Sequence, residues 1–491
     1  MHTFRQTRRL LPRESIRTRK IPMKLLICTS LIVLGFSTCS IAAEPVASKP
    51  ARPNIVFIVC DDAGIDSFGC YGSDRFKNLS PNIDALAASG TRFDRCYATP
   101  LCGPSRCLLM TGRYGFRTGG MSNQTASRPS FKDEPSMANI LQQAGYVTGM
   151  AGKWRQVSDS PGDWGFREYI TDPTASGWFW EDKYTQNGEQ ISLGKGKGKK
   201  AYYPDIASDF AVDFFSRHRD EPFYFYLSEH LIHGPILRTP DSKLNATPAQ
   251  LYDDNLKYLD KTVGKIVAAL EKLGLRESTL ILFSADNGTS TVGYTAEHDP
   301  AQITGSIGGQ RMYGRKGSLL EGGSRVPLIA SWKGTLPAGG VRNDLIDFSE
   351  LLPTFADLAG AKLPEGVKFD GRSFAPQLRG EPGNPRDWIF VQLGRGWYAR
   401  NDGWKLNQKG ELFSLKDAPF AEISVATDTT DAAAIAARKQ LEEVLAELNP
   451  AGGHVEPPKA AGVKGKNKNK GKNKGKRQRA AADAPSGLSA S

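Results

Sequence analysis

One cysteine, Cys102, stands where a side chain can do chemistry. It opens the segment Cys102-Gly103-Pro104-Ser105-Arg106, which follows the turn signal Thr99-Pro100 and leads into an apolar run that predicts a helix. The free backbone N–H groups at a helix N-terminus favour negative charge beside this cysteine. Pro104 fits a first helical turn because its missing N–H costs nothing there, and Arg106 can fold back toward Cys102. We therefore expect a reactive cysteine, with a buried structural cysteine as the alternative.

Two pairs of oxygen ligands follow two predicted strands. Asp61-Asp62 comes directly after the apolar, β-branched run 54–60, and Asp286-Asn287 follows the predicted strand 279–283. Ligands bind at the carboxyl ends of strands in open α/β sheets, so these side chains are expected to meet. An isolated Asp-Asp is more often a turn or a helix cap. Two such pairs after two strands instead favour an oxygen-only site, which suits Ca²⁺ or Mg²⁺ and not zinc.

The segment 101–113 resembles the signature of type I, formylglycine-dependent sulfatases of the alkaline phosphatase superfamily: C-x-P-S-R, an apolar run, then Thr111-Gly112-Arg113. The resemblance extends over roughly residues 52–420, with several motifs in the family's order. It implies that a formylglycine-generating enzyme converts Cys102 to Cα-formylglycine. It also implies one Ca²⁺ that touches the sulfate. The implied metal ligands are Asp61, Asp62, Cys102, Asp286 and Asn287.

The chemistry that the resemblance implies is sulfuryl transfer. The hydrated aldehyde, a geminal diol at position 102, would attack sulfur with one hydroxyl and displace the alcohol. Loss of the second hydroxyl proton would then re-form the aldehyde and release sulfate, an exit that plain serine or cysteine lacks. Asn287 separates this class from related phosphatases, which usually carry histidine at that position and bind two zinc ions. His218, His230, His233 and His298 show no zinc-ligand spacing.

Cations are needed to balance the charge on the sulfuryl oxygens. Lys153, in Gly-Lys-Trp, and Lys316, before Gly317, match family positions that contact sulfate. A lone lysine is usually a solvated surface group, and the motif context is what favours the site. His233, in His-Gly-Pro, matches the family's general acid beside the leaving group, acting alone or with Lys316. His230 is close enough in sequence to be the alternative.

Two arginines complete the implied catalytic set. Arg106 is expected to orient the side chain at position 102 and to support Asp62. Arg155 stands where the family usually carries a histidine that contacts the formylglycine. Arginine stays charged near neutral pH and cannot shuttle a proton, although it can donate hydrogen bonds to the diol or the sulfate.

Strands and helices alternate from residue 54 to about residue 358, which predicts a mostly parallel sheet with helices on both faces. The resemblance implies the alkaline-phosphatase-like form of this α/β fold. From about residue 375 short strands and turns predict a smaller C-terminal α+β subdomain, closed by a helix over 432–448. The predicted organisation is a leader over 1–43, a catalytic domain over 44–374, a C-terminal subdomain over 375–450 and a disordered basic tail over 451–491.

The net charge of +12 lies at the two ends, since residues 1–43 carry +7 and residues 451–491 carry +8, which leaves about −3 for the rest. The pI therefore gives no reason to expect specific nucleic-acid binding. Lys24 and the short apolar run 25–36, followed by small residues, predict a cleaved export signal, with a membrane anchor as the alternative. The product would be periplasmic or secreted. The basic tail could bind anionic polymers.

Export would remove Cys28 and Cys39 and leave five cysteines, an odd number that marks one thiol for another fate in an oxidising compartment. The aromatic run Trp178-Phe179-Trp180 is either a platform for stacking sugars or part of the core. These features favour a sulfatase acting on sulfated carbohydrate. Two other hypotheses stay open. One is a formylglycine-dependent phosphodiester or phosphonate monoester hydrolase, and the other is an inactive sulfatase-like protein that binds glycans.

Overall fold

The computed structural model describes residues 52–154, 157–172, 179–193, 200–291 and 303–453. Its strands are β1 (Asn54–Cys60), β2 (Thr91–Tyr97), β3 (Val147–Gly152), β4 (Glu168–Thr171), β5 (Trp180–Glu181), β6 (Lys183–Gln186), β7 (Glu189–Ser192), β8 (Ala201–Tyr202), β9 (Phe223–Ser228), β10 (Thr279–Ala285), β11 (Arg325–Ser331), β12 (Gly340–Arg342), β13 (Ile346–Asp347), β14 (Ile389–Leu393), β15 (Gly396–Arg400), β16 (Trp404–Asn407), β17 (Leu412–Ser414) and β18 (Ile423–Val425). Its α-helices are α1 (Pro81–Ala88), α2 (Cys102–Thr111), α3 (Gly115–Thr118), α4 (Met137–Gln143), α5 (Tyr203–Arg217), α6 (Pro248–Lys272), α7 (Glu321–Ser324), α8 (Leu351–Ala359), α9 (Ala375–Leu378) and α10 (Ala432–Leu448). Short 3₁₀ turns lie at Ile65–Ser67, Gly69–Tyr71, Phe348–Glu350 and Pro450–Gly452.

The large sheet has a parallel centre. Its strand order is β12-β2-β11-β10-β1-β9-β3-β4-β6-β7, with β13 also paired to β2. The five central strands, β10, β1, β9, β3 and β4, are parallel, whereas β11 runs antiparallel to both of its neighbours. All seven residues of β1 are buried, as expected for a strand that helices cover on both faces.

The register of the central strands decides where the polar side chains emerge. Cys60 pairs with Ala285 across β1 and β10, and Gly152 pairs with Ser228 across β3 and β9. Ser228 in turn pairs with Val59. Parallel strands that are aligned in this way deliver their next residues to one edge of the sheet. Those next residues are Asp61, Asp286 and Lys153.

Most predicted elements form close to their predicted positions. The apolar run 54–60 is a strand, the helix after Thr99-Pro100 begins at Cys102, and the last helix spans 432–448. Strand β2, which pairs antiparallel with β11, was not predicted from the sequence. Charged residues lie between the apolar residues of β2. The apolar pattern is therefore too weak to predict a strand there.

The C-terminal part is a separate antiparallel sheet, in the order β14-β15-β16-β17-β18, that α10 covers. A buried polar cluster joins this sheet to α7. The Arg400 guanidinium lies 2.9 Å from Glu321 and also bonds the hydroxyl of Tyr97, which itself donates to Glu321 at 2.9 Å. Because α7 follows the loop that carries Lys316, this cluster helps fix that loop.

Replacing Arg400 with methionine is expected to lower the free energy of unfolding by about 3–5 kcal/mol, because Glu321 is left buried without its closer partner. Urea denaturation measures the loss. The double variant Arg400→Met/Glu321→Gln should lose less than the sum of the two single variants, since the two charges are in contact. Strict additivity would show that the two groups do not stabilise each other.

The predicted leader, residues 1–43, lies outside the described residues, and so does the tail from residue 454. Within the described ranges, no helix has the length and apolar character needed to cross a bilayer. The five cysteines of the described chain are all free thiols, and four of them are buried.

Candidate active site

Cys102 is the first residue of α2, and its side chain is buried beneath the edge of the large sheet. The backbone N–H of Gly103 donates to Asn123 Oδ1 at 3.0 Å, and the amide of Asn123 lies 3.9 Å from the Cys102 sulfur. Asn123 therefore holds the N-terminal turn of the helix and contacts the side chain at position 102. Although a helix N-terminus favours a thiolate, burial together with Asp61 and Asp286 raises the pKa of Cys102.

The predicted metal ligands meet at the edge of the sheet. Atoms that can bind a metal in Asp61, Cys102 and Asp286 lie within 4.8 Å of one another, and so do those of Asp61, Asp62 and His233. The amide nitrogen of Asn287 donates to Asp62 at 2.9 Å. All five predicted ligands are thus close together and, like their strands, buried.

Lys153 and Lys316 approach the carboxylates from two sides. The Lys153 ammonium bonds Asp61 and is 1% exposed, and the Lys316 ammonium lies 2.5 Å from Asp62 Oδ1. Lys316 keeps 15% of its side chain accessible, so it lines the open side of the site. Both lysines are brought to the site, as the sequence predicts. Burial acts against their charge, but the acidic neighbours raise the pKa of each lysine.

Arg106 contacts a different carboxylate from the one expected. Its guanidinium donates two hydrogen bonds to Asp286 Oδ2, at 2.7 and 3.0 Å, and lies 3.6 Å from Asp61. It also bonds Tyr226, at 3.1 Å, and Ser228. The expected support of Asp62 is therefore corrected to support of Asp286. Arg106 lies one helical turn after Cys102 and faces the end of β10, whereas Asp62 turns toward Lys316.

The two histidines have different environments. His233 Nε2 lies 3.8 Å from Asp62, and the imidazole Nδ1 bonds the carbonyl of Gly234. Because that carbonyl needs a donor, Nδ1 carries the proton and Nε2 faces the site. His230 is 1% exposed and packs against the edges of Phe179 and Tyr203. The geometry thus brings His233, and not His230, to the carboxylates.

The pKa values follow from burial and from the crowding of charges. Burial acts to raise the pKa of Asp61, but Lys153, His233 and Arg106 hold it well below its usual value. Burial and the charge of Asp61 raise the pKa of Asp62 to about 6 and that of Asp286 to about 6. Burial, with the two lysines, lowers the pKa of His233 to about 4. The imidazole is therefore neutral at pH 7 in this arrangement.

Two sequence interpretations change or stay open here. Arg155 and Trp178 lie outside the described residues. Phe179 is fully buried in the core, and Trp180 packs on Tyr202 and donates to the carbonyl of Arg238, so these two rings belong to the core packing. Asn123 was not predicted from the sequence. Asn123 lies in an ordinary turn segment, and no pattern in a single sequence indicates that it contacts position 102.

Comparison with known proteins shows which family this chain resembles. The family model "Sulfatase" matches residues 53–361. Human arylsulfatase A is 33% identical over 72% of this chain and 72% of its own length, and dog N-acetylgalactosamine-6-sulfatase is 29% identical over 70% and 69%. Among solved structures, that of Ps i-CgsB in complex with k-i-k-neocarrahexaose is similar, with a TM-score of 0.67 and 28% identity, over 80% of this chain and 92% of that one.

The parallel sheet with an acidic, lysine-flanked edge belongs to the alkaline phosphatase superfamily, and the chain is a member of its sulfatase family. It is therefore a sulfuric ester hydrolase. The fold class expected from the sequence and the family resemblance are both confirmed.

Proposed function

We propose that the chain is an exported sulfatase that removes sulfate from sulfated carbohydrate, using a formylglycine at position 102 and one Ca²⁺. One observation carries the proposal. The aligned strand ends bring Asp61, Asp286 and Lys153 to the buried N-terminus of α2, where Cys102 lies within 4.8 Å of both carboxylates. A structural cysteine would not need a carboxylate and ammonium cluster around it.

Two buried oxygen atoms support the proposal of a metal site. Asp61 Oδ1 and Asn287 Oδ1 have no hydrogen-bond partner among the described residues, and leaving such atoms unsatisfied costs about 1–3 kcal/mol each. A hard cation held by carboxylate and amide oxygens satisfies both, and Asp62 and Asp286 complete the oxygen set. When bound, Ca²⁺ supplies charge that stabilises the developing negative charge on the sulfuryl group.

The surroundings of position 102 support its conversion. The raised pKa keeps an unmodified Cys102 thiol protonated at neutral pH, which makes it a poor nucleophile. Formylglycine at this position supplies an attacking oxygen and a way for the bound sulfate to leave. Asn123 and the helix N-terminus hold the residue, and Arg106 fixes Asp286 beside it.

The two lysines and His233 are proposed to bind the sulfate group and to protonate the leaving alcohol. Lys153 and Lys316 lie on either side of the carboxylates and would hold the sulfuryl oxygens. His233 presents Nε2 to the site and would give a proton to the departing alcohol once it has gained one. The low pKa of His233 in the present arrangement favours loss of the proton from the imidazolium to the alcohol oxygen. Lys316, which is partly exposed, lies where it can share that step.

The substrate class and the location are proposed on separate grounds. The related Ps i-CgsB was solved with a neocarrahexaose, at 28% identity to this chain, which supports a sulfated saccharide. The leader pattern over residues 24–43 supports export.

Release of sulfate from defined substrates tests the proposed function. The matured protein is incubated with hexasaccharides of carrageenan, chondroitin sulfate and heparin, with 4-nitrophenyl sulfate, and with an aryl phosphate diester. We expect sulfate from at least one hexasaccharide and from the aryl sulfate. A rate on the phosphate diester that exceeds the sulfate rates by orders of magnitude would instead show a phosphodiester hydrolase.

Ca²⁺ is expected to stabilise the folded protein. At about 100 times its Kd, a ligand that binds only the native state adds about 2.7 kcal/mol to the free energy of unfolding. Thermal unfolding of chelator-treated protein, with and without CaCl₂, measures the effect. Asn287→Ala should remove most of it, whereas Asp344→Asn, a substitution in a surface Arg342–Asp344 pair, should not. Equal stabilisation of both variants would place the ion elsewhere.

A further inference from the structure

We infer that a groove beside the active site binds a second sugar residue of a sulfated oligosaccharide. We call it the hairpin groove. It has a volume of about 300 Å³ and lies between the loop that carries Lys316 and the first strands of the C-terminal sheet. The inference rests on the proposed function. The residues of the groove that matter here are Tyr313, Trp397, Gln408 and Lys409.

One short segment of the chain links the hairpin groove to the active site. The N–H groups of Lys316 and Gly317 donate to the carbonyls of Thr289 and Pro100, at 3.1 and 2.8 Å, which holds Lys316 in place. Tyr313 precedes Lys316 by three residues, so the two Cα atoms are at most about 11 Å apart. A ligand with its sulfate at Lys316 can therefore extend over Tyr313.

The hairpin β14–β15 closes the other side. Its tip is tied to the active-site rim, because the N–H of Gly394 donates to the carbonyl of Met121 at 2.7 Å, two residues before Asn123. Trp397 follows on β15. The turn beyond β16 packs against it, with the backbone N–H of Gln408 donating to the carbonyl of Trp397 at 3.0 Å. These contacts hold the backbone of Trp397, whose side chain lines the groove together with Tyr313.

The wall of the groove offers donors without partners. The Tyr313 hydroxyl, the Trp397 indole N–H, the Gln408 amide nitrogen and the Lys409 ammonium have no hydrogen-bond partner among the described residues. Tyr313 is also 43% exposed, one of a few large apolar side chains to be so. The exposed ring of Tyr313 and the partly buried ring of Trp397, each with a polar group, suit a sugar ring that is apolar on one face and hydroxylated at its rim.

The charge of the groove favours an anionic ligand. Its one carboxylate among the described lining residues, Glu422, is buried and ion-paired to Lys405 at 2.7 Å. Lys409 is therefore the unpaired charge of the wall, and Arg315 is exposed beside Lys316. Free donors and free cations without a free carboxylate match a polyhydroxylated chain that carries sulfate groups.

Kinetics on a long and a short substrate test the inference. The hexasaccharide that gives the most sulfate in the assay above is compared with 4-nitrophenyl sulfate, using full-length matured protein. Trp397→Ala and Tyr313→Ala should each raise KM for the hexasaccharide about tenfold, the loss of roughly 1.4 kcal/mol of contact. Both variants should keep the wild-type kcat and KM on the aryl sulfate. Ile435→Ala, an exposed apolar position on α10, is the matched control and should change neither.

Direct binding separates this inference from the proposed function. Titration calorimetry with the same hexasaccharides should show about tenfold weaker binding by Trp397→Ala. If wild type binds a hexasaccharide but releases no sulfate, and Trp397→Ala weakens that binding, the groove stands and the proposed function fails. Unchanged binding and unchanged KM in both variants would overturn the groove. Equal losses on the oligosaccharide and the aryl sulfate would also overturn it, because they would indicate a disturbed active site.

Discussion

Replacing Cys102 with alanine is expected to reduce sulfate release by at least about 10⁴-fold, because no other described group in the site can become the covalent nucleophile. Asp61 and Asp62 pair with Lys153 and Lys316, Asp286 pairs with Arg106, and His233 is the proposed proton donor. The variant should fold, since alanine fits the first turn of α2 and removes only one sulfur. Initial rates on 4-nitrophenyl sulfate, alongside thermal unfolding, measure both effects.

Cys107→Ala is the matched control. Cys107 lies on the same helix, is equally buried and is also a free thiol, but its sulfur contacts the carbonyl of Ala126 and not the carboxylates. It should keep the wild-type rate and lose only modest stability. A Cys102→Ala variant that retained a rate within about tenfold of wild type would assign the nucleophile to another group.

Replacing Lys316 with alanine is expected to lower the turnover rate by about 10³-fold, because one charged donor to the developing sulfuryl charge is lost. The loss should appear in kcat as well as in KM, since this contact strengthens as charge develops. Lys316 is partly exposed, so its removal leaves a space that water can enter and the fold should persist. Steady-state kinetics measure the change. They are recorded at saturating Ca²⁺, because the ion would compensate the charge of Asp62 once Lys316 is removed.

Lys368→Ala tests whether the effect is specific. Lys368 is 57% exposed and pairs weakly with Glu447 at 3.8 Å, far along the chain from the site loop. Its substitution should leave both kinetic constants unchanged, as is usual for surface ion pairs. A near-wild-type rate for Lys316→Ala would remove Lys316 from the catalytic group and leave Lys153 as the main cation.

The ends of the strands are the part of the site that local sequence predicts well. Continuous apolar runs locate β1 and β10, and the rule that parallel strands present their carboxyl ends at one edge is enough to bring Asp61 and Asp286 together. The motif around Cys102 likewise places it at a helix N-terminus, where the structure has it. These features are local, or follow from one topological rule, so a single sequence contains them.

Other features depend on how distant elements pack. Arg106 pairs with Asp286 and not with Asp62, and no spacing in the sequence encodes this choice of partner. Asn123 reaches Gly103 across a turn, and the hairpin groove needs residues from the Lys316 loop and from the C-terminal sheet. Phe179 lies in the core although its aromatic neighbours favoured an exposed platform equally well. Tertiary packing decides each of these positions.

The mass of one peptide tests the central claim most directly. Trypsin releases residues 96–106, which contain Cys102, from protein made in a host that has a formylglycine-generating enzyme. We predict that position 102 has lost sulfur and two hydrogens and gained one oxygen, while Cys96 remains a thiol. An unmodified Cys102 in protein that releases sulfate at full rate would contradict this prediction.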